Sequence, residues 1–126
     1  MCVFNGHTLL ISCSAIMLLF FVGHVNAELK PSKFCEIRSG LAKSAMRARQ
    51  SGADMSTLIK KIDQVIDESP ENKTRRSLSE STKDYIEMAY GFPLIHYEDM
   101  RQEAVTRFGN IIYRACYRAL REAQRK

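Results

Sequence analysis

The chain has 126 residues, 45% of them hydrophobic and 26% charged, with a formal net charge of +5 at pH 7. That length and balance fit one globular domain and exclude disordered, collagen-like and large multi-domain classes. Four cysteines without a Cys-x-x-Cys pair, beside three scattered histidines, exclude the common zinc modules and a thioredoxin-type motif.

Residues 1–27 contain no Asp, Glu, Lys or Arg. Leu9 to Val22 is almost wholly apolar and too short to cross a hydrocarbon core of ~30 Å comfortably. Val25 and Ala27 supply the small-residue pattern at which a signal peptidase cuts. The reading is a cleaved export signal over 1–27 and a single helical domain over 28–126. An uncleaved anchor is the competing reading, because no basic side chain precedes the apolar run. Cys2 and Cys13 leave with the signal, so Cys35 and Cys116 remain. An oxidising compartment lets them form a disulfide; two buried free thiols or a redox pair are the alternatives.

Four helices follow. The first runs from Ser32 to Ser51, with Ser32 as cap, Gly52 as stop, and a stripe of Phe34, Ile37, Leu41, Ala45 and Ala48. The second spans Met55 to Asp67, capped by Asp54 or Ser56. Met55, Leu58, Ile59, Ile62, Val65 and Ile66 give it the clearest amphipathic pattern in the chain. Glu68 to Arg76 is polar, contains Pro70, and reads as an exposed loop. It includes Asn72-Lys73-Thr74, a glycosylation sequon that counts only in a eukaryotic secretory pathway. The third helix is placed from Ser77, where Ser77 and Glu80 fit a capping box, with Tyr85, Ile86, Ala89 and Tyr90 as its apolar face. Gly91 and Pro93 end it. The fourth is long, Tyr97 to Ala123, with Met100, Ala104, Phe108, Ile111, Ile112, Ala115 and Ala119 as the expected buried face, and Gly109 as a place for close packing. No strand-like alternation and no internal repeat occur. The expected fold is all-α, a small four-helix up-down bundle whose first and last helices are joined by Cys35–Cys116.

The charge is uneven. Glu28 to Thr106 is neutral overall, and the whole excess lies in Arg107 to Lys126, where only Glu122 is acidic. Arg107, Arg114, Arg118, Arg121 and Arg125 are spaced 7, 4, 3 and 4 residues apart. On a helix they fall within about 60° of arc, beside the expected apolar face. Such a stripe can grip phosphates, anionic lipid or an acidic protein surface; the plainer reading is a solvated face favoured by the helix dipole, with Glu103 pairing Arg107. Between the last two helices, Phe92, Leu94 and Tyr97 form a candidate partner patch, and a connection folded over the bundle end is the alternative.

Little points to chemistry. His96 lacks a Ser, Cys or carboxylate constellation around it. Asp63, Asp67, Glu68 and Glu71 read as solvated, near Lys73, Arg75 and Arg76. No phosphate loop, zinc motif or nucleophile elbow occurs. The expectation is a non-enzyme with no cofactor and no metal.

Cys35, Ala45 to Gly52 (AMRARQSG), Met55-Ser56, Ala89 to Pro93 (AYGFP) and Phe108…Tyr113…Cys116 together resemble small, uncharacterised, exported helical two-cysteine proteins of Gram-negative bacteria. The resemblance covers most of residues 28–126. It implies a periplasmic address and this fold, and no activity. In format the chain is also similar to periplasmic immunity proteins and to acid-stress chaperones. The expected role is a periplasmic interaction protein, of inhibitor or immunity type, with a protein partner. A stress chaperone and a peripheral binder of anionic membrane are the alternatives. Nucleic acid is disfavoured, since no recognition motif appears.

Overall fold

Helix punctuation sets the architecture. A computed structural model describes residues 30–68 and 71–126, so the signal read over 1–27 lies outside the described residues. Among these residues there are four helices and no strand: α1 (Pro31–Gln50), α2 (Met55–Asp67), α3 (Lys73–Tyr90) and α4 (Glu98–Ala123).

Pro31 opens α1 in the first turn, where its missing N–H is no loss. Ser32, expected as the cap, therefore lies inside the helix. At the other end the Ala53 and Gly52 amides bond the Ala48 and Arg49 carbonyls, and Gly52 sits at φ 78°. This is a Schellman turn, whose left-handed residue favours glycine. The Tyr90 hydroxyl donates to the Ala53 carbonyl, and the Arg49 guanidinium lies 4.9 Å from the Tyr90 ring, so the turn is held against the end of α3. Burial raises the Tyr90 phenol above its ordinary pKa, against the pull of Arg49.

Asp54 caps α2. Its carboxylate accepts from the Ser56 hydroxyl at 2.6 Å, the Thr57 amide at 2.8 Å and the Thr57 hydroxyl at 3.0 Å. These bonds, Ser56 foremost, hold the carboxyl below the usual aspartate range. Its contribution is complete above the pH where an unfolded aspartate ionises, about 4, and is lost as pH falls through the lower folded value. Asp54→Ala is expected to lower Tm at neutral pH, with the gap to wild type closing below about pH 4; thermal melts across pH check this.

The third helix starts earlier than expected. Asn72 is its N-cap, accepting from the Arg75 amide at 2.9 Å, so Lys73 to Arg76 is helical and the Ser77–Glu80 box does not form. Nothing in Lys-Thr-Arg-Arg breaks a helix once Asn72 has begun one.

Residues of three helices make the core: Ala42, Ala45 and Met46 of α1, Tyr85, Ile86 and Ala89 of α3, Val105, Phe108 and Ile112 of α4. Helix α1 is central, with α4 packed on one flank and α3 on the other, while α2 packs outside against α3. Cys35, near the start of α1, is bonded to Cys116, near the end of α4, with Cα atoms 5.6 Å apart. Gln50, at the end of α1, bonds Ile95, just before α4. The two helices therefore run antiparallel.

Their approach is close at Gly109, whose carbonyl accepts from the Ser39 hydroxyl at 2.9 Å. A Cβ there would lie 2.5 Å from Cγ and Cε of Lys43. Gly40, on the exposed side of α1, has nothing within 4 Å of an added Cβ. Alanine should act oppositely at the two sites. Gly40→Ala is expected to stabilise by about 1 kcal/mol through helix propensity. Gly109→Ala should destabilise by about 1 kcal/mol, because overpacking exceeds that same gain. Urea unfolding of both variants reads the two signs.

The close contact also turns α4. Of its expected buried face only Phe108 and Ile112 are buried. Met100 and Ile111 are 54% and 45% exposed, Ala115 and Ala119 are exposed, and Ala104 is partly exposed. Val105, Phe108, Gly109, Ile112 and Cys116 face inward instead, a rotation of about 80° at 3.6 residues per turn. Glycine and cystine are weak hydrophobic signals, yet they fix which side meets α1.

Candidate interaction surface

Because α4 packs mainly on α1 and its buried residues lie on one side, its far side is open. The rotation moves the arginine stripe from beside the buried face to opposite it. Arg107, Arg114, Arg118, Arg121 and Arg125 are all exposed. Among the described residues none of the five has a carboxylate within ion-pair distance, so the expected Glu103–Arg107 pair does not form. Aromatic side chains lie alongside: Tyr113 and Tyr117 stack with ring centroids 6.0 Å apart, and the Arg121 guanidinium lies 5.9 Å from the Tyr117 ring. Arg107 to Arg121 make a positive ridge about 21 Å long at 1.5 Å per residue, with Arg125 just past the helix end and Glu122 beside the last three.

The loop patch has a different construction. Gln50, 6% exposed, donates from Nε2 to the Pro93 carbonyl at 3.0 Å and accepts at Oε1 from the Ile95 amide at 2.9 Å. Arg49 donates to the Phe92 carbonyl at 3.1 Å. The end of α1 thus holds the loop backbone much as a neighbouring strand would. The Phe92 ring meets Phe108 edge-on, centroids 5.6 Å apart, yet Phe92 stays 39% exposed, Leu94 46% and Tyr97 74%. An anchor patch needs that exposure, held on a fixed backbone so that binding loses little entropy. The buried Gln50 was not legible beforehand; its only signal is a polar residue just before a glycine stop, which ordinarily reads as surface.

A third feature was not anticipated. Helix α2, the most clearly amphipathic, is poorly covered: only Ile66 is buried. Ile62 and Val65 of α2, Ile37 and Leu41 of α1 and Leu78 of α3 line an open apolar groove of about 620 Å³. Of the acidic side chains near it, Asp63 pairs with Lys83 of α3, which also lies 3.5 Å from Glu80. Those carboxylates, Asp63 first, raise the Lys83 pKa. Asp67, Glu68, Glu71 and His96 are exposed. Among the described residues no three His, Cys, Asp or Glu side chains are grouped to hold a metal ion, and no helix is long and apolar enough to cross a membrane.

No family model, curated protein or solved structure matches the chain.

Proposed function

We propose that the chain is an exported, non-enzymatic interaction protein that docks an acidic protein partner on the outer face of α4, in the manner of an inhibitor or immunity protein. The observation that carries this is the ridge of five exposed arginines without carboxylate partners, which holds most of the formal excess charge. The side-chain choice favours protein over lipid or nucleic acid. Lysine and arginine are mixed through the rest of the chain, but from Arg107 to Arg125 every cation is arginine, interleaved with Tyr113 and Tyr117. Arginine and tyrosine are enriched in protein interfaces and lysine is depleted. A bidentate guanidinium also discriminates carboxylates in a way a point charge cannot. The Cys35–Cys116 bond supports an oxidising, periplasmic address, and the antiparallel α1–α4 pair supports the up-down bundle.

The test is charge reversal. Photocrosslinkers placed on α4 of the exported protein should yield a discrete adduct with a partner. Arg114→Glu with Arg118→Glu should abolish it, and Lys60→Glu with Lys61→Glu on α2 should not. An adduct indifferent to both pairs defeats the proposal.

The groove beside α2 favours a second reading, a stress chaperone that holds clients on apolar surface. That reading predicts suppression of client aggregation at low pH, lost in Leu78→Glu. Aggregation that proceeds unchanged at low pH rejects it.

A further inference from the structure

The outer face of α4 is more ordered than a charge stripe. From Tyr97 at the N-cap to Arg125, one residue past the C-cap, residues recur at alternating intervals of three and four, and Met100 to Arg121, three heptads, lie within the helix itself. Tyr97, Ala104, Ile111, Arg118 and Arg125 form one line; Met100, Arg107, Arg114 and Arg121 form the other. All are exposed except Ala104, which is partly exposed. This 3-4 alternation is the a/d register of a left-handed coiled coil, and it occurs on the side of α4 that faces away from the core. The seam is also graded along its length. Its first half carries Tyr97, Met100, Ala104 and Ile111 with the single cation Arg107 among them, and its second half is all arginine.

We infer that this seam receives one helix of the acidic partner, wound along α4 in heptad register, apolar over most of Tyr97 to Ile111, where Arg107 is the one cation, and carboxylate-bearing where it meets Arg114 to Arg125. The inference rests on the proposed function and specifies the partner's shape. Charge complementarity selects this occupant. A second copy of the chain is a poor one, because a parallel pairing sets arginine against arginine and an antiparallel pairing buries arginine against Met100 and Ile111 without a counterion. A bilayer is also a poor match. A helix lying in the interface needs an apolar stripe running its whole length with basic residues along its side, whereas here the apolar residues stop at Ile111 and only arginine continues the seam beyond it.

The probe is a synthetic four-heptad helical peptide with leucine at a and d in two successive heptads and glutamate at a and d in the other two. It is made in both orders so that parallel and antiparallel alignments are sampled, with a scrambled peptide of identical composition as control. Fluorescence anisotropy against the full disulfide-bonded chain should show binding to one order. Ile111→Asp and Arg114→Glu should each weaken it at least about tenfold, equivalent to ~1.4 kcal/mol, with helical circular dichroism unchanged. Equal binding of the scrambled peptide, or indifference to Ile111→Asp, overturns the seam and leaves only diffuse attraction. Binding to phosphatidylglycerol vesicles with neither peptide bound overturns it in favour of lipid. If no peptide binds while the arginine-dependent crosslink persists, the proposed function stands and the helical occupant is wrong.

Discussion

Replacing Cys35 and Cys116 together by alanine is expected to lower the unfolding free energy by about 4 kcal/mol. The bond joins residues 81 apart in sequence, and closing a loop that long removes much of the unfolded chain's freedom. A domain of this size has a total stability of about 5–15 kcal/mol, so the variant should sit near the edge of folding. Both cysteines are buried, and alanine adds no unpaired hydroxyl in their place. Structure should also be lost locally. Beyond Cys116 every residue of α4 is exposed except the partly exposed Leu120, so the disulfide is the last buried attachment of the helix. Its removal should fray the turns that carry Arg118 and Arg121. Urea unfolding gives the global loss, and hydrogen exchange of the Tyr117 to Ala123 amides gives the local one. A loss under about 1 kcal/mol, with those amides still protected, means that the packing of α4 on α1 holds without the bond.

Residues that act locally were legible in the sequence. The bounds of α2 follow from Asp54 and its periodicity and the end of α1 from Gly52, while the long-range pairing of Cys35 with Cys116 follows from the expected export and the helix count. Most residues that act through a neighbouring helix were not legible, and one local cap was also missed. The start of α3 was hidden because two caps compete, and the Ser77 box is the more recognisable although Asn72 comes first. The inward side of α4 was misplaced because Gly109 and Cys116 define it by closeness rather than hydrophobicity, while Met100 and Ile111 advertise a core they do not join. The central position of α1 was hidden for a related reason. Its contact with α4 includes the Ser39–Gly109 hydrogen bond, and Gln50 holds the segment just before α4; neither residue marks a stripe. The arginine periodicity was plain from the start. Its meaning changed once the core was placed, since arginines beside a buried face can be simple flanking charge, whereas arginines opposite it, in register with exposed Ile111 and Met100, form a surface of their own.

Phe108→Ala is expected to destabilise by about 3–5 kcal/mol, the range for truncating a buried aromatic whose cavity cannot fully collapse. Phe108 is 1% exposed and is the largest of the fully buried side chains. It packs within the cluster shared by α1, α3 and α4, and it is also the surface on which the Phe92 ring stands edge-on. The candidate partner patch is therefore seated on the core, and the two should be energetically coupled. Phe92→Ala alone should cost less, about 1 kcal/mol, since that side chain is already partly in water and the edge-on pair is worth ~0.5–1.5 kcal/mol. With both removed, the loss should fall short of the sum by roughly that pair energy. A coupling near zero would mean that Gln50 and Arg49 alone set the loop, and that the patch can move without disturbing the core. A coupling of about 1 kcal/mol ties the presentation of Leu94 and Tyr97 to the packing of α4 on α1. The same contact that turns the arginines outward would then fix the loop at the head of the seam, so one packing decision, made by Gly109 and Phe108, would set both parts of the surface.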